Sequence, residues 1–218
     1  MSWTDIETRD IVGLALVAAT VALSIVAYPQ LPEEMATQFG VGGEPGTYTD
    51  RWIPLTVFPV LTAAIVVLFK LLPVIDPLGD SYEKFSLYFD LTAILVAATV
   101  AYAHALVVFW NLGYEFDVGQ VLAPMLAVLF VALGFVLENA EQNWFVGIRT
   151  PWTLSDEEVW KQTHDQGGTL FKGAGLVVLL AIPFPQYFLY LVLIPTLIAA
   201  FVPTVYSYVL YRRKQETR

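Results

Sequence analysis

An all-α, polytopic integral membrane protein with six transmembrane helices is predicted by three features of the 218-residue sequence. Hydrophobic residues make up 57% of the chain against 14% charged, with a mean hydropathy of +0.63, which disfavours an ordinary soluble domain. Six segments are apolar over enough residues to cross a hydrocarbon core of roughly 30 Å, for which a helix needs about 20. Basic residues are distributed one-sidedly: with both termini in the cytosol, ten of the 11 Lys and Arg lie on the cytosolic side and Arg51 alone lies outside. That asymmetry predicts an N-in, C-in topology in the cell membrane.

The first span, residues 11–28, follows Asp5, Glu7 and Asp10 rather than a basic region and lacks a small-residue cleavage site, so it reads as a span and not as a signal peptide. The outer segment after it, PQLPEEMATQFGVGGEPGTYTDRW, reads as a turn-rich loop. Pro32 with Glu33 and Glu34 suits one helical turn, Gly40, Gly42, Gly43 and Gly46 supply tight reversals, and Phe39 is its aromatic landmark. Asp50 is placed to cap the second span, residues 52–72, with Trp52 at the interface. A cytosolic connection, PVIDPLGDSYEK, reads as a simple connector to the third span, residues 85–110. The outer turn NLGYEFDVGQ leads to the fourth span, residues 121–137, and PFPQY joins the fifth, 169–185, to the sixth, 187–211. Pro54 and Pro59 in the second span and Pro195 and Pro203 in the sixth predict kinks. The chain divides at residue 80 into an outer-loop unit, 1–80, and a second unit, 81–218.

Between spans four and five lies NWFVGIRTPWTLSDEEVWKQTH. Ser155 as N-cap, Glu158 as capping-box partner and Leu154 with Val159 as staple predict an amphipathic helix over 156–166, lying in the interface, with Val159, Trp160 and Thr163 on one face. Trp144, Phe145, Ile148 and Trp152 are apolar bodies suited to headgroup depth. Arg149 among them has two readings: a membrane-pinning residue paired with Glu138, Glu141 or Asp90, or a contact for a ligand or partner. His164 is expected as a cation favoured by the helix C-terminus. Asp90 and His104 are ionisable groups inside a span, and such groups raise a second function class, a small-solute or ion transporter; Asp90 also has Lys70 and Lys84 within reach as partners.

No nucleophile–base–acid set, phosphate loop or metal cluster is visible, so no enzyme, cofactor or metal is expected. Two histidines and no cysteines argue against zinc and exclude disulfides. No basic patch suits nucleic acid, and the partner that composition requires is the lipid bilayer. The net charge of −9 fits a high-salt, halophile-like habitat or ordinary acidic loops equally well.

The cytosolic stretch resembles the signature of the SdpI family, membrane immunity proteins against a sporulation-delay toxin, through Asn143, Gly147, Ile148, Arg149, Thr150, Trp152, Thr153, Leu154, Trp160 and His164. The outer segment is similar to a domain of unknown function that often precedes that signature. The resemblance implies resistance to a secreted peptide toxin, coupled to signal transduction in which a cytosolic transcriptional repressor is held at the membrane. It makes Asn143, Trp144, Gly147, Arg149, Thr150, Trp152, Trp160 and His164 the candidate partner-binding residues, with Pro32, Phe39, Gly43 and Asp50 in the outer loop. The chain departs from the family pattern at Gln38, where a histidine is usual, at Asp50–Arg51, where Ser-Lys is common, and at Asp165, where a basic residue often stands. The first departure argues against metal or proton chemistry in the outer loop, and the last against docking of an acidic partner.

Overall fold

The computed structural model describes residues 8–40 and 44–216; Gly42, Gly43, Asp5 and Glu7 lie outside the described residues. The elements run α1 Thr8–Ala27, β1 Glu34–Phe39, β2 Pro45–Asp50, α2 Trp52–Ile75, α3 Ser86–Asn111, α4 Val118–Asn139, α5 Pro151–Ser155, α6 Glu157–Val178 and α7 Phe188–Glu216. The architecture is mostly helical, and among the described residues five helical segments are long and apolar enough to cross a membrane: Thr8–Gln30, Trp52–Ile75, Gly79–Asn111, Val118–Asn139 and Pro185–Glu216. Large side chains such as Ile11, Leu14, Val60 and Phe201 point outward, as lipid contact permits.

Helices α1, α2 and α3 pack on one another, α6 packs on α4 and α7, and α3 joins the two groups through α4. Helix α6 is less apolar than its neighbours because its first turns carry Glu157, Glu158, Lys161 and Asp165. It runs antiparallel to α4: Ala123 near the start of α4 shares a core with Ala174 and Val178 near the end of α6. The two backbones approach closely because glycines face each other. A Cβ on Gly134 would lie 2.6 Å from the Gly168 carbonyl oxygen, and one on Gly168 would lie 2.5 Å from that of Gly134. Without a hydrophobic drive between helices in lipid, such close backbone contact is what van der Waals association needs.

Several expectations are corrected by the fold. The separate interfacial helix over 156–166 does not exist, because the same residues are the opening turns of α6. Their apolar face, Val159, Trp160, Thr163 and His164, is buried against protein rather than laid on lipid. The outer segment is not a coil of turns and carries no helical turn at Pro32: β1 and β2 pair as an antiparallel hairpin, with Glu34 opposite Asp50 and irregular pairing beside Gln38. Met35 and Ala36 are buried beneath it with Leu31, Leu55 and Val108. Asn111, at the end of α3, accepts the Ala36 N–H at 2.8 Å and donates to the Ala36 carbonyl at 2.9 Å, standing in for a third strand. Asp50 does not cap α2; its carboxylate accepts the Trp52 indole N–H at 3.3 Å.

Candidate functional site

The connection from α4 to α6 is organised around Asn143, whose side chain is fully buried. Its Oδ1 accepts the N–H groups of Phe145 at 3.0 Å and Val146 at 2.6 Å, and its Nδ2 donates to the carbonyls of Glu141 at 2.8 Å and Val146 at 3.1 Å. One carboxamide thus satisfies four backbone groups in a segment without a regular ladder. Asp76, just beyond α2, grips the same loop. Its Oδ2 accepts the Trp144 N–H and the Tyr82 hydroxyl, both at 2.9 Å, and its Oδ1 accepts the Leu78 N–H at 2.8 Å. The Tyr82 hydroxyl also lies 3.3 Å from Asn143 Oδ1, so the connector from α2 to α3 is fastened to the signature loop.

Gly147 has φ +111°, which only glycine adopts without strain, and a Cβ there would overlap His164 Nε2. The absent side chain lets the Ile148 N–H donate to Nε2 at 2.9 Å, while Nδ1 donates to the Trp160 carbonyl at 2.8 Å. The imidazole also stacks on the Trp160 ring, with centroids 3.9 Å apart. Burial lowers its pKa to about 4, so at neutral pH it is uncharged and carries its proton on Nδ1. The expected cation at a helix C-terminus is therefore corrected: His164 lies within α6, well before its end, buried and neutral. Trp160 donates to the Ala140 carbonyl at 2.8 Å and closes the loop onto its own start.

Thr150 and Thr153 form a reciprocal cap on α5, and Trp152 donates to Ser207 at 2.5 Å and meets the Tyr208 ring edge-on, anchoring the loop to α7. The cap of α6 is Asp156 and not Ser155. Its carboxylate accepts the N–H groups of Glu158 at 3.0 Å and Val159 at 3.1 Å. Lys214 of α7 donates to it at 2.8 Å, and this bond holds the Asp156 carboxyl below the usual carboxylate range. Ser155 instead donates to the Trp152 carbonyl at 3.2 Å.

The carboxylate partner expected for Arg149 does not form. Its guanidinium donates to the Trp144 carbonyl at 2.7 Å and is otherwise exposed, because Glu138 is engaged by Lys172 at 2.6 Å and Asp90 by Arg9 at 2.5 Å. Asp90 pairs with Arg9 rather than with the expected Lys70 or Lys84, and Lys70 meets Asp10 at 2.5 Å. His104 is fully buried, 3.0 Å from the Ser24 hydroxyl and against the Phe58 ring, at the junction of α1, α2 and α3. In the hairpin, Phe39 packs edge-on against Trp110 and Pro32 is exposed. The signature thus separates into a buried frame of Asn143, Trp160 and His164, and an exposed pair, Trp144 and Arg149. Asp76 and Tyr82 escape a reading of the sequence because an acid and a tyrosine in a short connector give no periodic signal.

Residues 139–207 match the SdpI/YfhL protein family, and residues 15–63 match DUF1648, a domain of unknown function. The two matched stretches do not overlap, the DUF1648 match lying nearer the N-terminus. Over 211 residues it is 24% identical to the immunity protein SdpI of Bacillus subtilis strain 168, covering 96% of this chain and 99% of that protein. No solved structure matches the chain. With its apolar helices, the likeness supports a multi-pass cell-membrane protein.

Proposed function

We propose that the protein protects its cell against a secreted peptide toxin and that the Asn143–His164 region is its docking face for a cytosolic partner of the repressor type. The observation that carries this reading is likeness to an immunity protein along almost the whole chain. The six-span, N-in/C-in arrangement belongs to the same reading: it places the hairpin outside, toward toxin, and the signature loop inside. The loop's form supports docking. Buried Asn143, Trp160 and His164 hold the backbone, while Trp144, half exposed, and Arg149 project from it. The same connection also borders a polar cleft of about 400 Å³, reached by Trp160 and His164 and lined by charges of both signs, among them Lys84, Glu141, Glu157 and Lys161. A cleft of mixed charge suits a partner recognised by charge pattern rather than by an apolar groove.

The transporter alternative loses its footing in the same geometry. Asp90 is neutralised by Arg9, and His104 is enclosed among three helices. The test is survival of a deletion strain in spent medium from its own and related strains, complemented by wild type or by Trp144→Ala. Rescue by wild type supports immunity, and unchanged survival of the deletion strain overturns it. Loss of partner co-purification with Trp144→Ala, at unchanged protein level, supports the docking face.

A further inference from the structure

Between the two helix groups, under the signature loop, lies an apolar chamber of about 590 Å³. Its walls include Phe69 and Leu72 of α2, Phe89 of α3, Leu133 of α4, Phe171 of α6 and Ala200 of α7. Residues 145–150 form its roof. Among the described residues that line it, Arg149 alone is charged. Its volume falls within the roughly 300–1,000 Å³ typical of ligand sites, and its lining of hydrophobic and aromatic side chains with one charged group and the hydroxyls of Thr92, Thr150 and Thr204 is typical of them too.

From the chamber and its rim we infer a site for an anionic phospholipid of the surrounding bilayer, one acyl chain inside the chamber and the phosphate held by Arg149. The chain would replace water, which such walls disfavour, with CH₂ groups. The headgroup assignment follows from the guanidinium. It spends one donor on the Trp144 carbonyl, its head is exposed, and its planar fork matches phosphate oxygens bidentately. Exposed Trp144 and Phe145 beside it are suited to the interfacial depth where a phosphate lies. A single cation at the mouth of an apolar chamber selects an amphiphile that is apolar at one end and anionic at the other. A zwitterionic lipid offers the same phosphate but sets a quaternary ammonium near the guanidinium, and a purely apolar molecule offers no anion. The inference does not rest on the immunity reading, although both involve Arg149.

The full-length protein, purified in a mild detergent, is titrated with phosphatidylglycerol, phosphatidylcholine of the same chains, and oleate, and bound species are counted by native mass spectrometry. Retention of phosphatidylglycerol is expected to exceed that of phosphatidylcholine by about tenfold, because both bring a phosphate but only phosphatidylcholine sets a second cation beside the guanidinium. Arg149→Gln should remove that preference, and Ala200→Phe, which fills the chamber, should reduce retention of both lipids. A thermal-melt control shows that each variant is folded, and Thr204→Leu at the same wall serves if Ala200→Phe is not. Equal retention of the two phospholipids by wild type, or a preference surviving Arg149→Gln, overturns the inference. Preferential binding of oleate over phosphatidylglycerol overturns the phospholipid assignment in favour of a free fatty acid. Survival assays do not enter this readout, so either proposal can fail alone.

Discussion

The N–H of Ile148 is bonded to the ring of His164 at 2.9 Å, and that bond exists only while the imidazole is neutral. A second proton on Nε2 would face the Ile148 N–H donor to donor. In an unfolded chain the imidazole titrates near 6.5 and in the fold near 4. Above pH 6.5 both states are neutral and the full stability is present. Between 6.5 and 4 the unfolded state binds a proton that the folded state refuses, so stability falls with pH, by a limit of about 3 kcal/mol. Melting in detergent from pH 7.5 to 4.5 should show this slope, and His164→Gln should reduce it; an identical slope in the variant refutes the assignment.

Gly147 and Gly113 allow a paired comparison. Both have positive φ, but a Cβ at Gly113 meets nothing within 4 Å, whereas one at Gly147 overlaps His164. Gly113→Ala should cost about 1 kcal/mol of backbone strain, and Gly147→Ala about 2 to 4 kcal/mol, since it adds a clash and breaks the Ile148 bond. Unfolding in detergent measures both, and equal costs would mean the loop yields freely.

The Asp76 and Asn143 side chains act on one segment, through Trp144 and Tyr82. Asp76→Ala and Asn143→Ala should each destabilise by about 2 kcal/mol and be non-additive by about 1 kcal/mol in the double variant. Additive losses would show that the two connectors are held independently.

Asn111 supplies both hydrogen bonds at Ala36. Asn111→Leu leaves a buried N–H and carbonyl unpaired at about 1 to 3 kcal/mol each, and amide exchange across residues 34–39 should accelerate while that of α4 does not. Unchanged exchange in the hairpin would remove Asn111 as its anchor.

Part of the site is legible in the sequence because local rules write it. The loop after α4 stands out by its Trp, Arg and Gly-Ile-Arg-Thr landmarks, and a helix start near residue 156 follows from its polar residues and acids. The choice of Asp156 over Ser155 is not legible, because both satisfy capping chemistry and Lys214, 58 residues away, favours the acid. The hairpin is unreadable for a related reason. Glu34–Phe39 has no alternation strong enough to announce a strand, and its pairing is completed by a side chain from α3.

The sequence by itself determined that this protein lives in a membrane and where most of its helices lie. Helix length and side-chain transfer energy are local quantities, and in lipid every backbone group must be satisfied within its own segment. Tertiary structure alone decided what the polar residues do. Whether Asp90 is a charge in lipid or half of a pair, and whether His164 is a cation or a neutral acceptor, depends on which N–H, guanidinium or carbonyl arrives from elsewhere in the chain. In a buried, low-dielectric setting the energy of each such group is set chiefly by those distant partners, because no water remains to screen or replace them.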